Sequence, residues 1–407
     1  MINIIGAGIS GLNSALNLID KHDVTIYEKS DYVGGRVYTV PDYKYEAGAA
    51  RFNKNHKNLI KLITKYKLKS KIIQIPSSWE SVYSKKVSSK YFDNVFDLID
   101  DTIKKSKKIG KKKLQSITFH DLVKELYDTK TGTFLKQSYP YYSELCVLNA
   151  YDSIRTLTRD LSEKDTFYVL DGGLSQLINR MKDDFIKKGG KLKLNSELTN
   201  IEIVENNSIL CSFITGEKTI CESLILACDG KNLQNMAFLN KFKIHDLLNS
   251  VKCEPLLRTY AIYNNKWFND LPKIVTNEYI KYIIPIDYDS GLVMISYTDG
   301  FYAKYWKKII DSKDGIKKQK KIILEQLKLL FPNKHIGNPN KLFNNYWDRG
   351  ACYWKTNTNS DKLIPIIAKP TKYNIYICGD SYSGRQAWME GALESSNFLK
   401  KVLTKNV

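Results

Sequence analysis

The 407-residue chain has few residues of the kinds that build metal sites and disulfide frameworks. Its seven cysteines form no C-x-x-C pair, and its five histidines form no H-x-x-x-H pair. We therefore expect neither a metal site nor a disulfide framework. Free thiols are typical of a reducing compartment, and we predict a cytoplasmic location.

Long apolar runs are also missing from the chain. No stretch approaches the roughly 18 consecutive apolar residues that a membrane-crossing helix needs. The chain opens on the short apolar pattern MINII rather than on a basic segment followed by a cleavage site. We expect no signal peptide and no membrane partner.

Acidic residues are outnumbered, with 43 Asp and Glu against 63 Lys and Arg, which gives a net charge of +20. Such a field attracts anions and disfavours polycationic substrates. The basic run at residues 104–113 has no interleaved aromatic residue that could stack on a base. We interpret this run as a solvated loop or helix end, and we do not expect a nucleic-acid partner.

The first 28 residues have the pattern of a strand, a helix and a second strand. A short apolar run ends at Gly6, residues 13–19 carry apolar side chains at helical spacing, and Val24–Tyr27 is a second apolar run. Similar patterns return at residues 168–227 and 374–403. We predict an α/β fold, in which a Rossmann-like dinucleotide-binding domain is built from discontinuous segments and carries an inserted mixed α+β substrate domain.

The predicted domains alternate along the chain. The dinucleotide-binding domain is expected to comprise residues 1–70, 168–235 and 341–407. The substrate domain is expected to comprise residues 71–167 and 236–340.

A glycine-rich loop joins the first strand to the first helix. Residues 6–11 (GAGISG) match G-x-G-x-x-G. Gly6 allows a tight turn, Gly8 lets a pyrophosphate reach backbone N–H groups at the helix start, and Gly11 permits close packing of helix on strand. Glu28, 20 residues after Gly8, can accept hydrogen bonds from both ribose hydroxyls. Because an acid there disfavours a 2′-phosphate, the pattern favours FAD or NAD over NADP.

Four further segments make the pattern specific. They are residues 34–36 (GGR), 46–52 (EAGAARF), 379–381 (GDS) and 388–395 (WMEGALES). With the glycine loop and Glu28, the sequence resembles the flavin-containing amine oxidase family, and motifs at both ends extend this resemblance over most of the chain. The resemblance implies that the dinucleotide is FAD and that the nucleotide domain is an FAD-binding domain.

Two C-terminal residues have a physical reason to contact the flavin. Asp380 follows a predicted strand and can accept a hydrogen bond from a ribityl hydroxyl. Met389 begins a predicted helix, whose N–H groups and dipole favour negative charge on the flavin ring. By resemblance, the residues expected at the cofactor are Gly6, Gly8, Ile9, Ser10, Gly11, Glu28, Lys29, Gly35, Arg36, Gly48, Ala49, Ala50, Arg51, Leu198, Gly379, Asp380, Trp388, Met389 and Ala392.

The attachment of the flavin is a separate question. The resemblance aligns Cys352 with the cysteine that carries the flavin covalently in monoamine oxidases. A buried cysteine is more often an inert thiol. We therefore expect non-covalent FAD and keep the covalent link at Cys352 as the alternative.

Three aromatic and basic residues are expected at the substrate. The resemblance aligns Tyr353 and Trp388 with the two rings that guide an amine to the flavin face, although either ring could simply pack in the core. Arg51 stands where the amino-acid-oxidising branch has an arginine for the substrate carboxylate, and its planar fork suits bidentate binding. It could instead contact a flavin phosphate or pair with an acid.

Arg258 is expected to be catalytic but departs from the family pattern. The family commonly has a lysine there, which reaches flavin N5 through water and assists the reaction with oxygen. Arginine can donate hydrogen bonds but cannot act as a base, because it stays protonated in proteins. The substitution puts the reaction with oxygen in question.

The sequence therefore predicts an FAD-dependent amine oxidase that acts on a small-molecule amine, with an L-amino acid as first choice and O2 as electron acceptor. A polyamine or monoamine oxidase is an alternative within the family. A non-amine FAD-dependent desaturase or mutase shares the fold, and a non-catalytic FAD-binding scaffold is a third class. A homodimer is left open.

Overall fold

The computed structural model describes residues 1–76, 78–162 and 166–404. The predicted domain segments 71–167 and 341–407 include residues that lie outside this described part. The strands are β1 (Ile2–Ile5), β2 (Val24–Tyr27), β3 (Phe52–Asn53), β4 (Ile72–Ile75), β5 (Glu80–Ser81), β6 (Phe167–Leu170), β7 (Lys191–Lys193), β8 (Leu198–Ile203), β9 (Ile209–Phe213), β10 (Lys218–Cys221), β11 (Ser223–Leu226), β12 (Val251–Ile262), β13 (Ile274–Val275), β14 (Tyr282–Asp287), β15 (Leu292–Asp299), β16 (Lys341–Trp354) and β17 (Ile375–Ile377).

Helices connect these strands and cover the sheets. The α-helices are α1 (Ile9–Leu18), α2 (Lys57–Lys65), α3 (Val95–Ser106), α4 (Lys111–Ser116), α5 (Phe119–Leu126), α6 (Thr129–Ser138), α7 (Tyr142–Cys146), α8 (Ala150–Arg159), α9 (Ser175–Lys187), α10 (Gly230–Asn235), α11 (His245–Leu248), α12 (Gly300–Ile310), α13 (Gly315–Leu330), α14 (Ser360–Ala368) and α15 (Met389–Thr404). Shorter 3-10 segments are Lys69–Lys71, Glu205–Asn207, Ala237–Phe242 and Asp380–Tyr382.

A parallel sheet in the order β17-β11-β1-β2-β7 carries the nucleotide-binding elements. All residues of β1 and β2 are buried, as expected for parallel strands that are covered on both faces. Ile2 pairs with Ser223 on one side and with Val24 on the other, so strands far apart in sequence lie side by side. The predicted α/β fold with a nucleotide-binding sheet built from discontinuous segments is confirmed.

Helix α1 follows the glycine loop and packs between the sheet and α15. A Cβ atom at Gly11 would lie 1.9 Å from the Gly6 carbonyl oxygen, so only glycine lets α1 approach β1 this closely. The Asn13 Nδ2 group donates a hydrogen bond to Ser396 Oγ at 2.8 Å and joins α1 to α15. The two ends of the chain therefore meet beside the loop.

The second large sheet has the order β16-β12-β15-β14-β13-β5. Its long antiparallel strands β12 and β16 pair from Val251 and Trp354 at one end to Ile262 and Lys341 at the other. Strand β16, which begins the predicted segment 341–407, thus belongs to the sheet of segment 236–340. The domain boundaries otherwise stay a prediction.

The described residues of segment 71–167 are mainly helical. Helices α3 to α8 pack around one apolar core, which also includes Val275 and Tyr282 from the six-stranded sheet. The basic run at residues 104–113 spans the end of α3 and the start of α4, and its lysines are exposed, so its interpretation as a solvated helix end is confirmed.

The cysteines correct one expectation. Cys253 on β12 and Cys352 on β16 face each other in register and form a disulfide. The prediction of free thiols is therefore wrong for this pair, because neighbouring strands bring together two cysteines that are 99 residues apart in sequence. The cytoplasmic location stays a prediction, and it draws no support from this pair.

The described helices bear on the membrane prediction. Within residues 1–76, 78–162 and 166–404, none of them combines the length and the apolar character that crossing a bilayer would require.

Candidate cofactor and substrate site

A cavity of about 530 Å³ lies where the two large sheets approach each other. One part is lined by residues that follow strands of the parallel sheet, which is the usual position for a ligand in an open α/β sheet. The other part is lined by the six-stranded sheet and by α7. The sequence-predicted residues that line it are Gly6, Gly8, Ile9, Ser10, Glu28, Lys29, Gly35, Arg36, Gly48, Ala49, Ala50, Arg51, Leu198, Arg258, Tyr353, Gly379, Asp380, Trp388, Met389 and Ala392. Gly11 faces the strand instead, and Cys352 does not line the cavity.

The glycine loop leaves space for a ligand. Gly6 has a φ of +107°, and a Cβ atom there would lie 2.7 Å from the Ala227 carbonyl oxygen. A Cβ atom at Gly8 would meet nothing closer than 3.9 Å, so the space beside Gly8 is open. No side chain caps the start of α1 at Gly8, and its N–H groups are available to a pyrophosphate.

Glu28 is held in a fixed orientation at the end of β2. Its Oε2 atom accepts the Ala7 N–H at 2.7 Å, and its Oε1 atom accepts the Ser30 N–H at 2.9 Å. The side chain is buried but lines the cavity. Each oxygen keeps capacity for one more donor, as binding of two ribose hydroxyls requires.

Arg36 and Asp380 form an ion pair across the cavity wall. The Arg36 guanidinium donates to both carboxylate oxygens of Asp380, at 3.1 Å and 2.5 Å, and to the Gly350 carbonyl at 3.0 Å. This pair joins the GGR segment to the segment after β17. The open space beside Gly8 and the uncapped N–H groups at the start of α1 fit a pyrophosphate. The oriented carboxylate of Glu28 fits the ribose of the same dinucleotide.

Arg51 lies at the other part of the cavity among aromatic rings. Its guanidinium contacts the Tyr141 hydroxyl and lies 4.2 Å from the centroid of the Phe167 ring. Among the residues that the structure describes, no carboxylate forms an ion pair with Arg51. The alternative in which Arg51 pairs with an acid is therefore not what these residues show.

Trp388 also lines this part of the cavity, and two neighbouring rings pack against its side chain. Its ring stacks on Phe167, with centroids 6.3 Å apart, and meets the edge of His56 at 4.9 Å. His56 Nε2 lies 3.4 Å from Asp160 Oδ1, and both side chains are fully buried. Ala387, directly before Trp388, has a φ of +66°, a conformation that costs a non-glycine residue about 1 kcal/mol or more.

Tyr353 contacts a buried acid that sequence analysis missed. Its hydroxyl donates to Glu144 Oε1 at 3.2 Å, while Glu144 Oε2 has no hydrogen-bond partner within the described part of the chain. Asp299 accepts the N–H groups of Tyr142 and Ser143 at 2.9 Å and 2.7 Å and so holds the start of α7. Burial, and then the charge of Asp299, raise the pKa of Glu144 to about 8.

Arg258 is buried beside the segment that carries Arg51. It donates to the Glu46 carbonyl at 3.2 Å, and its guanidinium lies 4.8 Å from the Tyr297 ring centroid. Its Nε–H has no partner among the described residues. Arg258 is thus a second buried cation at the cavity, and among the described residues it contacts a ring and a carbonyl without forming an ion pair.

The family model for flavin-containing amine oxidoreductases matches residues 9–397. The chain belongs to this family. The resemblance stated from the motifs and the prediction of a flavoprotein fold are therefore confirmed, and FAD is the cofactor. The individual site residues stay predictions.

Two curated proteins have sequences similar to this chain. Achacin of Lissachatina fulica is 22% identical over 327 residues, which are 66% of this chain and 61% of achacin. YobN of Bacillus subtilis (strain 168), which is named for L-amino-acid oxidase activity, is 35% identical over 95 residues, or 22% of this chain and 20% of YobN. The chain thus spans less than two thirds of either relative.

Solved structures of putrescine oxidase have the same fold. Two variants from a redesign of its cofactor binding give TM-scores of 0.79 and 0.78 at 17% and 16% identity. The first comparison covers 100% of this chain and 99% of the other, and the second covers 99% and 98%. At these identities the likeness concerns the fold.

The disulfide bears on how this family member holds its flavin. Cys352 is fully buried and bonded to Cys253. A sulfur atom in a disulfide cannot also bond to the flavin. The arrangement therefore supports the prediction of non-covalent FAD over the alternative at Cys352.

Several cavity residues had no signal in the sequence. Tyr141 and Glu144 fall in an aromatic stretch without a motif, and Tyr297 and Asp299 end a strand whose length was not foreseen. Only their common position at the cavity sets them apart. A search for acids within aromatic stretches would have found Glu144, together with many unrelated residues.

Proposed function

We propose that the protein is an FAD-dependent amine oxidase whose first-choice substrate is an L-amino acid. The substrate C–N bond would be oxidised to an imine, and O2 would be reduced to H2O2. One observation carries the choice of an amino acid: Arg51 lines the cavity, and no acid among the described residues forms an ion pair with it. A substrate carboxylate would supply the missing partner and two parallel hydrogen bonds.

The proposed chemistry asks the protein for positioning and a dry site. Bound FAD supplies the hydride acceptor. Tyr353 and Trp388 would flank the neutral amine, while Arg51 would hold the carboxylate and fix which C–H bond faces the flavin. No strong base is needed, which agrees with the lack of any histidine among the residues lining the cavity.

The comparisons support this reaction class but leave the substrate open. The name of YobN favours an amino acid, and the putrescine oxidase structures favour a polyamine or monoamine as the second candidate. The net charge of +20 favours the amino acid, because it draws in anions and slows polycations. A desaturase or mutase whose substrate has no carboxylate would have no use for Arg51 at this place in the cavity.

The decisive experiment compares an amino acid with its decarboxylated amine. Arg51→Lys keeps the positive charge but removes the planar guanidinium that can form two parallel hydrogen bonds. The value of kcat/KM for the amino acid should therefore fall at least about tenfold, while kcat/KM for the amine should change little. Arg155→Lys is the control, because Arg155 forms ion pairs with Asp152 and Asp361 and does not line the cavity. Flavin content is measured in each variant.

Equal losses for the two substrates would assign Arg51 to the flavin or the fold. The protein would then be a general amine oxidase. Oxidation of neither substrate across a panel of amino acids and amines would contradict the amine oxidase proposal itself.

A further inference from the structure

A short segment before and within α7 touches both sides of the substrate part of the cavity. The Tyr141 hydroxyl contacts Arg51, and Glu144, three residues later, accepts the Tyr353 hydroxyl. Residues three apart at a helix start lie on one side of it. Arg51 and Glu144 therefore line the same space, yet they do not form an ion pair.

Glu144 is a buried acid without an ion-paired cation among the described residues. Its side chain is 7% exposed, and its Oε2 atom has no hydrogen-bond partner in the described residues. Within that part of the chain, no lysine, arginine or histidine is ion-paired with it. The charge of Asp299 raises the pKa of Glu144, while the charge of Arg51 lowers it, and both oxygens of Asp299 already accept backbone N–H groups. Ionising a buried acid without a cation beside it is costly, so the free acid keeps its proton, and a cationic ligand would stabilise its ionised form.

The hydrogen bond from Tyr353 does not explain why an acid stands at position 144. The tyrosine hydroxyl needs one acceptor oxygen, which the side-chain amide of a glutamine would offer as well. The second oxygen remains unused in that role. Perturbed, unpaired acids at a cavity are typical of functional sites.

We propose that Glu144 is a cation-binding subsite for a second ammonium group of the substrate. The proposal rests on the proposed function, in which Arg51 binds the carboxylate and the reacting amine is neutral. A charged ammonium must then be a different group, on the substrate side chain. The substrate class is therefore a basic L-amino acid with a terminal ammonium, such as lysine or ornithine.

The test compares lysine with norleucine, which has the same carbon chain but lacks the ammonium. The wild-type enzyme should have at least about tenfold higher kcat/KM for lysine. In Glu144→Gln the lysine value should fall at least about tenfold, mainly through KM, while the norleucine value should change less than about threefold. The ratio of the two substrates should approach one.

Glu254→Gln is the matched control. Glu254 is also a buried acid, but it is paired with Lys252 and Lys304 and does not line the cavity. Its substitution should leave the ratio of lysine to norleucine unchanged. Equal losses of both substrates in Glu144→Gln would overturn the subsite, because a structural role acts on both alike.

The wild-type ratio is decisive even if the variant does not fold. Equal turnover of lysine and norleucine by the wild-type enzyme would overturn the subsite. If cadaverine, which is lysine without its carboxylate, is oxidised in a Glu144-dependent way and lysine is not, the amino-acid assignment fails and the subsite stands. If no amino acid or amine is oxidised, the subsite and the proposed function both fail.

Discussion

The two parts of the cavity differ in how their charged groups are balanced. At the dinucleotide part, Glu28 is held by two N–H groups, and Arg36 pairs with Asp380. At the substrate part, Arg51 and Arg258 have no acid partner in the described chain, and one oxygen of Glu144 has none either. Charged groups of the first part are thus paired within the protein, while a bound substrate would supply ion-pair partners in the second part.

This difference is the one expected between a site for a permanently bound cofactor and a site for a substrate that binds and leaves. A cofactor site benefits from fixed polar groups that are oriented before binding, because less ordering then remains when the ligand arrives. A substrate site with unpaired charges gains binding energy from each substrate group that completes a pair. The free energy of folding and the kinetics should therefore respond differently to changes in the two parts.

The largest effect is expected from the glycine loop. Gly11→Ala puts a methyl group 1.9 Å from the Gly6 carbonyl oxygen and should lower the unfolding free energy of the apoprotein by about 3 kcal/mol. Gly8→Ala meets nothing closer than 3.9 Å and should change that free energy by less than about 1 kcal/mol, yet weaken FAD binding at least about tenfold. Urea unfolding and FAD titration measure the two quantities. Equal stability of both variants would contradict the close packing of α1.

A smaller effect separates the two arginines. Arg36→Gln leaves the buried Asp380 without its cation and should lower the apoprotein unfolding free energy by about 2 kcal/mol, after allowance for partial solvent exposure. Arg51→Gln breaks no ion pair among the described residues, so it should lower the unfolding free energy by less than about 0.5 kcal/mol. Urea unfolding of both apoproteins tests this. A loss for Arg51→Gln as large as for Arg36→Gln would break the comparison between the two parts.

Arg258 offers a kinetic test of the substrate part. Arg258→Lys restores the residue that the family commonly has, and it should speed the reaction of the reduced enzyme with O2 by about tenfold, or about 1.4 kcal/mol in activation free energy. Stopped-flow mixing of the substrate-reduced enzyme with O2 measures this rate constant. An unchanged rate would mean that Arg258 already serves this step as well as a lysine.

Glu144 should make stability depend on pH. Its pKa is raised from the usual 4.5 to about 8, so the native state holds a proton that the unfolded state releases between these values. The contribution of Glu144 to stability therefore falls as the pH rises through this window. The titratable and charged groups around it are Arg51, Tyr139, Tyr297, Asp299 and Tyr353.

The measurement is urea unfolding of wild-type and Glu144→Gln apoprotein at pH 5.5 and pH 8.5, two values chosen on the basis of that window. The variant should gain stability relative to wild type at the higher pH, because it has no proton to lose. A difference that stays constant with pH would show that Glu144 keeps its ordinary pKa and has a partner that balances its charge.

No change is expected at the flavin when Cys352 is replaced. Because Cys352 is bonded to Cys253, acid precipitation should leave the flavin in the supernatant for both wild type and Cys352→Ser. Absorbance of the two fractions decides the matter. A yellow pellet from the wild-type protein alone would establish a covalent link at Cys352.

The sequence alone determined the dinucleotide part of this protein. Gly6 and Gly8 lie in the loop before α1, Gly11 lies in its first turn, and Glu28 directly follows the next strand, so the chain needs only local backbone geometry to bring them together. The C-terminal motifs at residues 379–381 and 388–395 could be recognised for the same reason, because they lie close together in the sequence just before and within the start of α15. Strands β1, β2 and β11 were foreseen to within a residue or two, because fully buried parallel strands are continuous apolar runs.

Only the tertiary structure decided the substrate part. Glu144 and Tyr353 are 209 residues apart in sequence, and Cys253 meets Cys352 because two long strands pair in one particular register. A shift of one residue in that register would turn these side chains to the other face of the sheet. That Arg51 forms no ion pair with a described acid likewise depends on how the elements around it pack. Such contacts depend on how separate elements pack, and no local pattern of residues encodes them.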